Sequence, residues 1–223
     1  MNASDVARYL GEQPDFFELY PELLGQLSIR HPQSGQAISL VERQSLLLRD
    51  RVRAMEARLA ELVRNGERND AIAEKLVRWS CAVLAQKEDA ALPATVVGEL
   101  QTVFDVPHGA IRLWSVQARF AALPFAAAVS EDVIRLATSM AAPFCGSNVG
   151  FEVAGWMNDD SSNVGAKIQS LAMLPLRDES AAEPFGLLVL GSPDKDRFQI
   201  TMGTAFLTRI AAIASASLAR LRA

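Results

Sequence analysis

Cysteine and histidine are scarce in this 223-residue chain, two of each. Cys81 and Cys145 leave no disulfide framework and suit a reducing cytoplasm. His31 and His108 each sit beside a proline, far apart, so no Cys/His cluster has the spacing of a structural zinc site. Gly-x-Ser-x-Gly, P-loop and dinucleotide fingerprints are also missing. Met1 to Tyr9 carry no basic-then-apolar signal pattern, so a cytoplasmic location is expected. The longest uncharged run, Leu136 to Phe151, holds Pro143, Gly146 and Gly150 and does not read as a membrane span. A formal charge of −4, from 26 acids against 22 bases, leaves no whole-chain footprint for nucleic acid.

What is present is a core. Half of the residues are hydrophobic and 22% are charged, the balance of a folded protein. Three zones differ in texture, at 1–38, 39–87 and 88–223. In the first, Ser4 or Asp5 is expected to cap a short helix carrying Val6, Tyr9 and Leu10. Pro14 and Pro21 each open a further apolar group, where a missing N–H costs least. Phe16, Phe17, Leu19, Tyr20, Leu23, Leu24 and Leu27 are dense enough to demand a docking surface, in this chain or another. The breaker run His31-Pro32-Gln33-Ser34-Gly35 ends the zone.

The second zone is a long helical pattern without proline. Val41, Leu48, Met55, Leu62, Asn69 and Leu76 recur every seven residues, interleaved with Ser45, Val52, Leu59, Gly66 and Ala73. Together they make the seam of a coiled coil over about five heptads. Gly66 predicts a kink or break there, and Asn69 is a polar seam residue that sets register. Six arginines between 43 and 64 are interspersed with Glu42, Asp50, Glu56 and Glu61. That mixture describes a solvated coiled-coil flank rather than a nucleic-acid stripe.

The third zone changes period. Leu92 to Phe104 reads as a helix closed by Pro107, and 110–116 alternates as a half-buried strand. Phe120 to Phe125 is expected to return as its hairpin partner. Ser130 starts a helix to about Ala141, and 142–167 reads as a long irregular segment holding one short strand. Strands follow at Ser170 to Leu176 and Phe185 to Gly191, and Thr201 caps a last helix to about Leu221. This order predicts an α+β domain with an antiparallel sheet flanked by helices, preceded by a helical coiled-coil extension.

The text of the last strands carries a resemblance. Met173-Leu174-Pro175-Leu176, then Phe185 to Ser192, then Arg197-Phe198 and a helix with Phe206-Leu207 resemble the closing half of a GAF-type sensory domain. Tyr9-Leu10, Pro14 to Phe17, Pro21 to Leu24, His31 and Ser39 to Gln44 resemble the bacterial domain-of-unknown-function family number 484. That resemblance implies a GAF-like fold after a helical N-terminus and no established activity. It also implies a ligand cavity between one sheet face and its covering loops, here 142–167. Three GAF activities lose support from the residues themselves. The Asn-Lys…Phe…Asp-Glu signature of cyclic-nucleotide binding is absent. Cys145 precedes Gly146, not the histidine of a bilin site. Only Cys145 lies in the domain, whereas a free-methionine-sulfoxide reductase needs several redox cysteines.

The candidate ligand residues are Trp114, Cys145, Trp156, Arg112 and Arg177, with no cofactor assigned. The tryptophans are flat walls for an aromatic ligand or ordinary core. The arginines are bidentate anion clamps or surface ion-pair partners. Cys145 stands where a loop thiol meets a ligand or oxidant, or is a small buried hydrophobe. Asp194 and Asp196 lack the glycine and distal glutamate of a calcium loop and read as turn chemistry. Candidate dimer residues are Val41, Leu48, Val52, Met55, Leu59 and Leu62 in the coil, with Ile210, Ala214 and Leu221 in the small-residue-rich last helix. The leading expectation is a homodimeric sensory module that binds a small ligand or a protein, with its output supplied by a partner chain. A ligand-free interaction adaptor and a cysteine redox enzyme are the alternatives.

Overall fold

The computed structural model describes residues 2–26, 28–30, 37–158, 164–178, 183–199 and 204–223. Two compact units divide at 69/70. In the first, helix α1 (Ala3–Glu12) is capped by Asn2 rather than by Ser4 or Asp5. The Asn2 side chain accepts from the Asp5 N–H at 2.9 Å, and the Asp5 carboxylate accepts from the Asn2 N–H at 3.0 Å. That reciprocal box satisfies two N–H groups at once, which a cap at Ser4 would forfeit. Helices α2 (Phe16–Leu19) and α3 (Pro21–Gln26) follow, with Pro21 at the first helical position. The Phe16 ring packs against Tyr9, Phe17 and Tyr20 at centroid distances of 6.0, 5.3 and 5.2 Å. Strands β1 (Ser28–Arg30) and β2 (Ala37–Ser39) pair antiparallel. The predicted breaker run His31 to Gly35 lies outside the described residues.

Helix α4 (Leu40–Ala85) contributes to both units. The break expected at Gly66 does not occur: α4 runs through that position as one helix. The chain tolerates one residue of poor helix propensity inside so long a run of good helix formers. In the first unit the seam residues Leu48, Leu59 and Leu62 are 61%, 63% and 67% exposed, with Val52 and Met55 similarly open. The side chain of Val41 lies outside the described set.

The second unit is a sheet with helices on both faces. Helix α5 (Leu92–Phe104) ends at Asp105, whose φ of 55° is left-handed, so the stop precedes Pro107. Strand β3 (His108–Leu113) follows. Phe120 to Phe125 is not its hairpin partner. Short 3-10 turns occupy Ala118–Phe120 and Pro124–Ala126, burying Phe120 and Phe125. Pro124 has no N–H for a ladder, and Ser115 at φ 63° has already turned the chain. Helix α6 (Glu131–Ser139) starts as expected, with the Ser130 hydroxyl accepting from the Val133 N–H. Strands β4 (Phe144–Ser147), β5 (Ser170–Arg177) and β6 (Pro184–Ser192) complete an antiparallel sheet of order β3-β6-β5-β4. Helix α7 (Ala205–Leu218) begins after Thr204, and Thr201 lies outside the described residues.

Strand alternation sorts the core into two layers. Ala172, Leu174, Leu176, Leu188 and Leu190 face α5, α7 and the end of α4, where Trp79 donates its indole N–H to the Val96 carbonyl at 3.1 Å. Leu171, Met173, Leu187 and Val189 face α6 and the 3-10 turn Glu152–Met157. The α7 assignment to dimerisation is corrected here. Ile210, Ala214 and Leu221 are 2%, 0% and 0% exposed, spent on the chain's own sheet. Among the described residues no helix is long and apolar enough to cross a membrane.

Candidate functional site

Arg112 lies on β3 on the side opposite Ile111 and Leu113, and Trp114, one residue past the strand's end, packs on that same side. That side is the α6 layer, where Trp114 and Trp156 pack against the same buried cluster. The Trp114 indole N–H donates to the Pro184 carbonyl at 2.6 Å, and its backbone N–H donates to Phe185 at 2.8 Å. Both bonds fix the ring at the end of β6. Trp156 arrives from the 3-10 turn Glu152–Met157. The Arg112 guanidinium carbon stands 5.6 Å from the Trp156 ring centre, a cation–π arrangement.

The segment that delivers Trp156 is ordered by side-chain bonds to the backbone. The Asn148 side chain donates to the Ile168 carbonyl at 3.0 Å and accepts from the N–H groups of Gly150 and Phe151 at 3.1 Å each. Gly150 takes φ 95°, which favours glycine in this turn. Gly165 donates to the Asn158 side chain at 2.7 Å. A Cβ on Gly191 would meet the Met157 sulfur at 2.6 Å, so the absence of a side chain in β6 is what seats Met157 on the sheet.

Arg112 is half-buried, and burial lowers its pKa from the ordinary guanidinium value. No carboxylate among the described residues pairs with it. Among the described residues its guanidinium donates to its neighbour's carbonyl, Ile111, at 3.3 Å. A cation in that setting carries unused hydrogen-bond donors and an attraction for anions.

Arg177 differs. It lies at the far end of β5 and donates through one nitrogen to the carbonyls of Ala137, Thr138 and Met140 at 2.9, 3.1 and 2.7 Å. It therefore caps the C-terminus of α6, with the positive charge at the negative end of the helix. Its own N–H donates to the Ser215 hydroxyl at 3.0 Å, at the point where β4 no longer covers the edge of β5.

Cys145 is separated from the group altogether. It belongs to the α5/α7 layer, is 4% exposed, and burial pushes its thiol pKa up. A thiol that resists ionisation is a poor nucleophile and a poor redox centre. The position expected at the mouth of the loop is thus a core position on the other face. Asp194 and Asp196 do form a turn, with the Asp194 carboxylate accepting from the Asp196 N–H at 2.9 Å. Among the described residues no cluster of three His, Cys, Asp or Glu side chains stands ready for a metal.

Met157, Met140, Met173, Phe144 and Phe151 join the same layer, and none of them is among the sequence-derived ligand candidates. Met173 was within reach, because the alternation of β5 pairs it with Leu171. Two clefts have other linings. One of about 650 Å³ runs past Pro143, Pro175, Arg177, Thr208 and Ala212. The other, about 560 Å³, borders Phe144, Ser147, Val149 and Phe198.

Among known proteins, the family model described as "Protein of unknown function, DUF484" matches residues 1–222. No curated protein matches the chain. Similar solved structures include the GAF domain of a putative sensor histidine kinase from Pseudomonas syringae pv. tomato. It shows 16% identity and a TM-score of 0.45, over 70% of this chain and 91% of that one. The GAF domain of a phosphoenolpyruvate-protein phosphotransferase from Coxiella burnetii gives 12% and 0.49, over 67% and 93%. A free methionine-R-sulfoxide reductase from Neisseria meningitidis, in complex with its substrate, gives 17% and 0.46, over 66% and 88%.

Proposed function

This chain belongs to the DUF484 family, which is described without a function, and from that premise we propose that it is a non-enzymatic sensory or regulatory module. It acts as a homodimer joined through α4, takes a small ligand on the α6 face of its sheet, and hands its output to a partner protein. The ligand has a flat apolar body and an anionic group. The observation that carries this reading is Arg112, a half-buried cation with no carboxylate partner among the described residues, stacked on Trp156 beside Trp114. The indoles offer stacking surfaces and the guanidinium offers a fork for a carboxylate, sulfonate or phosphate.

Anilinonaphthalene sulfonate has this chemistry and reports binding by its own fluorescence. Saturable binding to the intact protein, lost at least tenfold in Arg112→Leu with an unchanged circular dichroism spectrum, is the expected result. Equal binding by the wild type and Arg112→Leu would overturn the ligand assignment.

A second reading, the ligand-free adaptor, has its own support. Leu19 is 72% exposed, and Val6, Tyr9, Tyr20 and Leu23 are also open on α1–α3. Contiguous exposed apolar side chains of this kind mark a protein-binding surface. The adaptor reading gains if the probe ignores Arg112.

A further inference from the structure

We propose that α4 pairs with α4 of a second copy in parallel and in register, with Arg51 of each helix bonded to Glu56 of the other. The proposal rests on the dimeric reading above and adds the direction and register of the pair. Taking Ser45, Val52 and Leu59 as the first seam position and Leu48, Met55 and Leu62 as the second, α4 presents aliphatic side chains at every seam site from 48 to 62. A β-branched residue at Val52 with leucine at the second position, as at Leu48 and Leu62, favours two strands.

The flanking charges supply the direction. Arg51 and Arg58 border the seam on one side, and Arg49, Glu56 and Val63 border it on the other. In a parallel, in-register pair each flank residue meets the residue five places on in its partner. Arg51 then meets Glu56, twice by symmetry, and Arg58 meets Val63, against which its methylene stem packs. Gln44 meets Arg49. No like charges face one another in this stretch.

An antiparallel pair that overlaps the same apolar seam sets Arg49 against Glu56 but also Arg51 against Arg58. Its attraction is offset by a repulsion, again twice. Arg51 and Glu56 are exposed and pair with no charged group among the described residues. By contrast, Arg53 pairs with Asp50 at 3.8 Å on the face turned away from the seam. One outer-face pair is thus closed within the helix, whereas Arg51 and Glu56 on the flanks are available to a second helix.

Full-length protein carrying Cys81→Ser provides the background for Leu48→Cys and Leu59→Cys, each made separately. Both sites are exposed in the single chain, so the changes leave its core intact. Under mild oxidation the parallel arrangement gives covalent dimers from each variant alone. An antiparallel arrangement brings 48 close to 59 instead, giving covalent dimers only from the two variants mixed after dissociation. That pattern would overturn the proposal and leave the dimer standing. Light scattering on the unoxidised samples separates the two failures. A monomer would remove both the orientation and the dimeric reading. A dimer that never crosslinks through either cysteine would place the interface off α4 and overturn the proposal.

Discussion

Arg112 and Arg177 are both half-buried guanidiniums at strand ends, yet their situations oppose. Arg177 spends itself on three carbonyls at the end of α6. Removing the cation in Arg177→Met leaves those carbonyls without their donor. About 1–3 kcal/mol of unfolding free energy should be lost in a urea titration. Arg112 has no such structural duty, so Arg112→Leu should leave the urea midpoint nearly unchanged while removing probe binding. The cysteines divide in the same way. Cys81 is exposed and Cys145 is buried. A thiol reagent at neutral pH should titrate one sulfur per chain quickly and the second only in denaturant. Because the folded chain holds Cys145 neutral beyond the ordinary thiol range, the unfolded chain ionises first as pH rises. The contribution of this group to stability is complete below that range and falls as pH climbs through it. Fast reaction of both thiols in the native state would contradict the placement of Cys145. That placement was not legible in the sequence. Four residues of β4 show no alternation strong enough to say which of Phe144 and Cys145 faces which layer. The alternation read over 110–116 puts Arg112 and Trp114 on one side, although β3 itself ends at Leu113.

Among the elements, β5 and β6 are legible as continuous apolar runs, α5 by its apolar face and α6 by its serine cap. The failures have physical causes. Phe120 and Phe125 are hydrophobic enough for a strand, but Pro124 and the left-handed Ser115 force turns that bury the same rings. At α1, the aspartate within the first turn reaches back to Asn2, and a one-sided search for a capping residue passes over that box. At Gly66 the low helix propensity of one glycine is outweighed by the long run of helix formers around it. A Cβ there would have nothing within 4 Å. Gly66→Ala is therefore expected to raise stability by about 0.5–1 kcal/mol, read as a higher midpoint in thermal unfolding. The flanks of α4 give a second test at this scale. Glu56→Arg alone should weaken self-association, and an equimolar mixture with Arg51→Glu should restore it as a heterodimer, measured by sedimentation. Restoration fails if Arg51 and Glu56 do not meet.

For the molecule as a whole, the apolar surface is apportioned unevenly. The small residues set among the apolar positions of α7 suggest half of an interface. In the fold its apolar stripe covers the sheet. Helix α4 keeps a stripe from Leu48 to Leu62 open, and the chain's own core claims the helix only near Leu76, Trp79 and Val83. Exposed leucines spaced by a heptad rule lower the free energy by pairing with one another. Pairing through α4 is thus the premise of the proposed function, for ligand sensing and partner recognition alike. The most direct measurement is native mass spectrometry of the intact wild-type protein beside Leu59→Asp. The account expects the wild type at twice the chain mass of 24.2 kDa and the variant at the single mass, folded by circular dichroism. A wild-type protein found only at the single mass, or a variant that still dimerises, would contradict it.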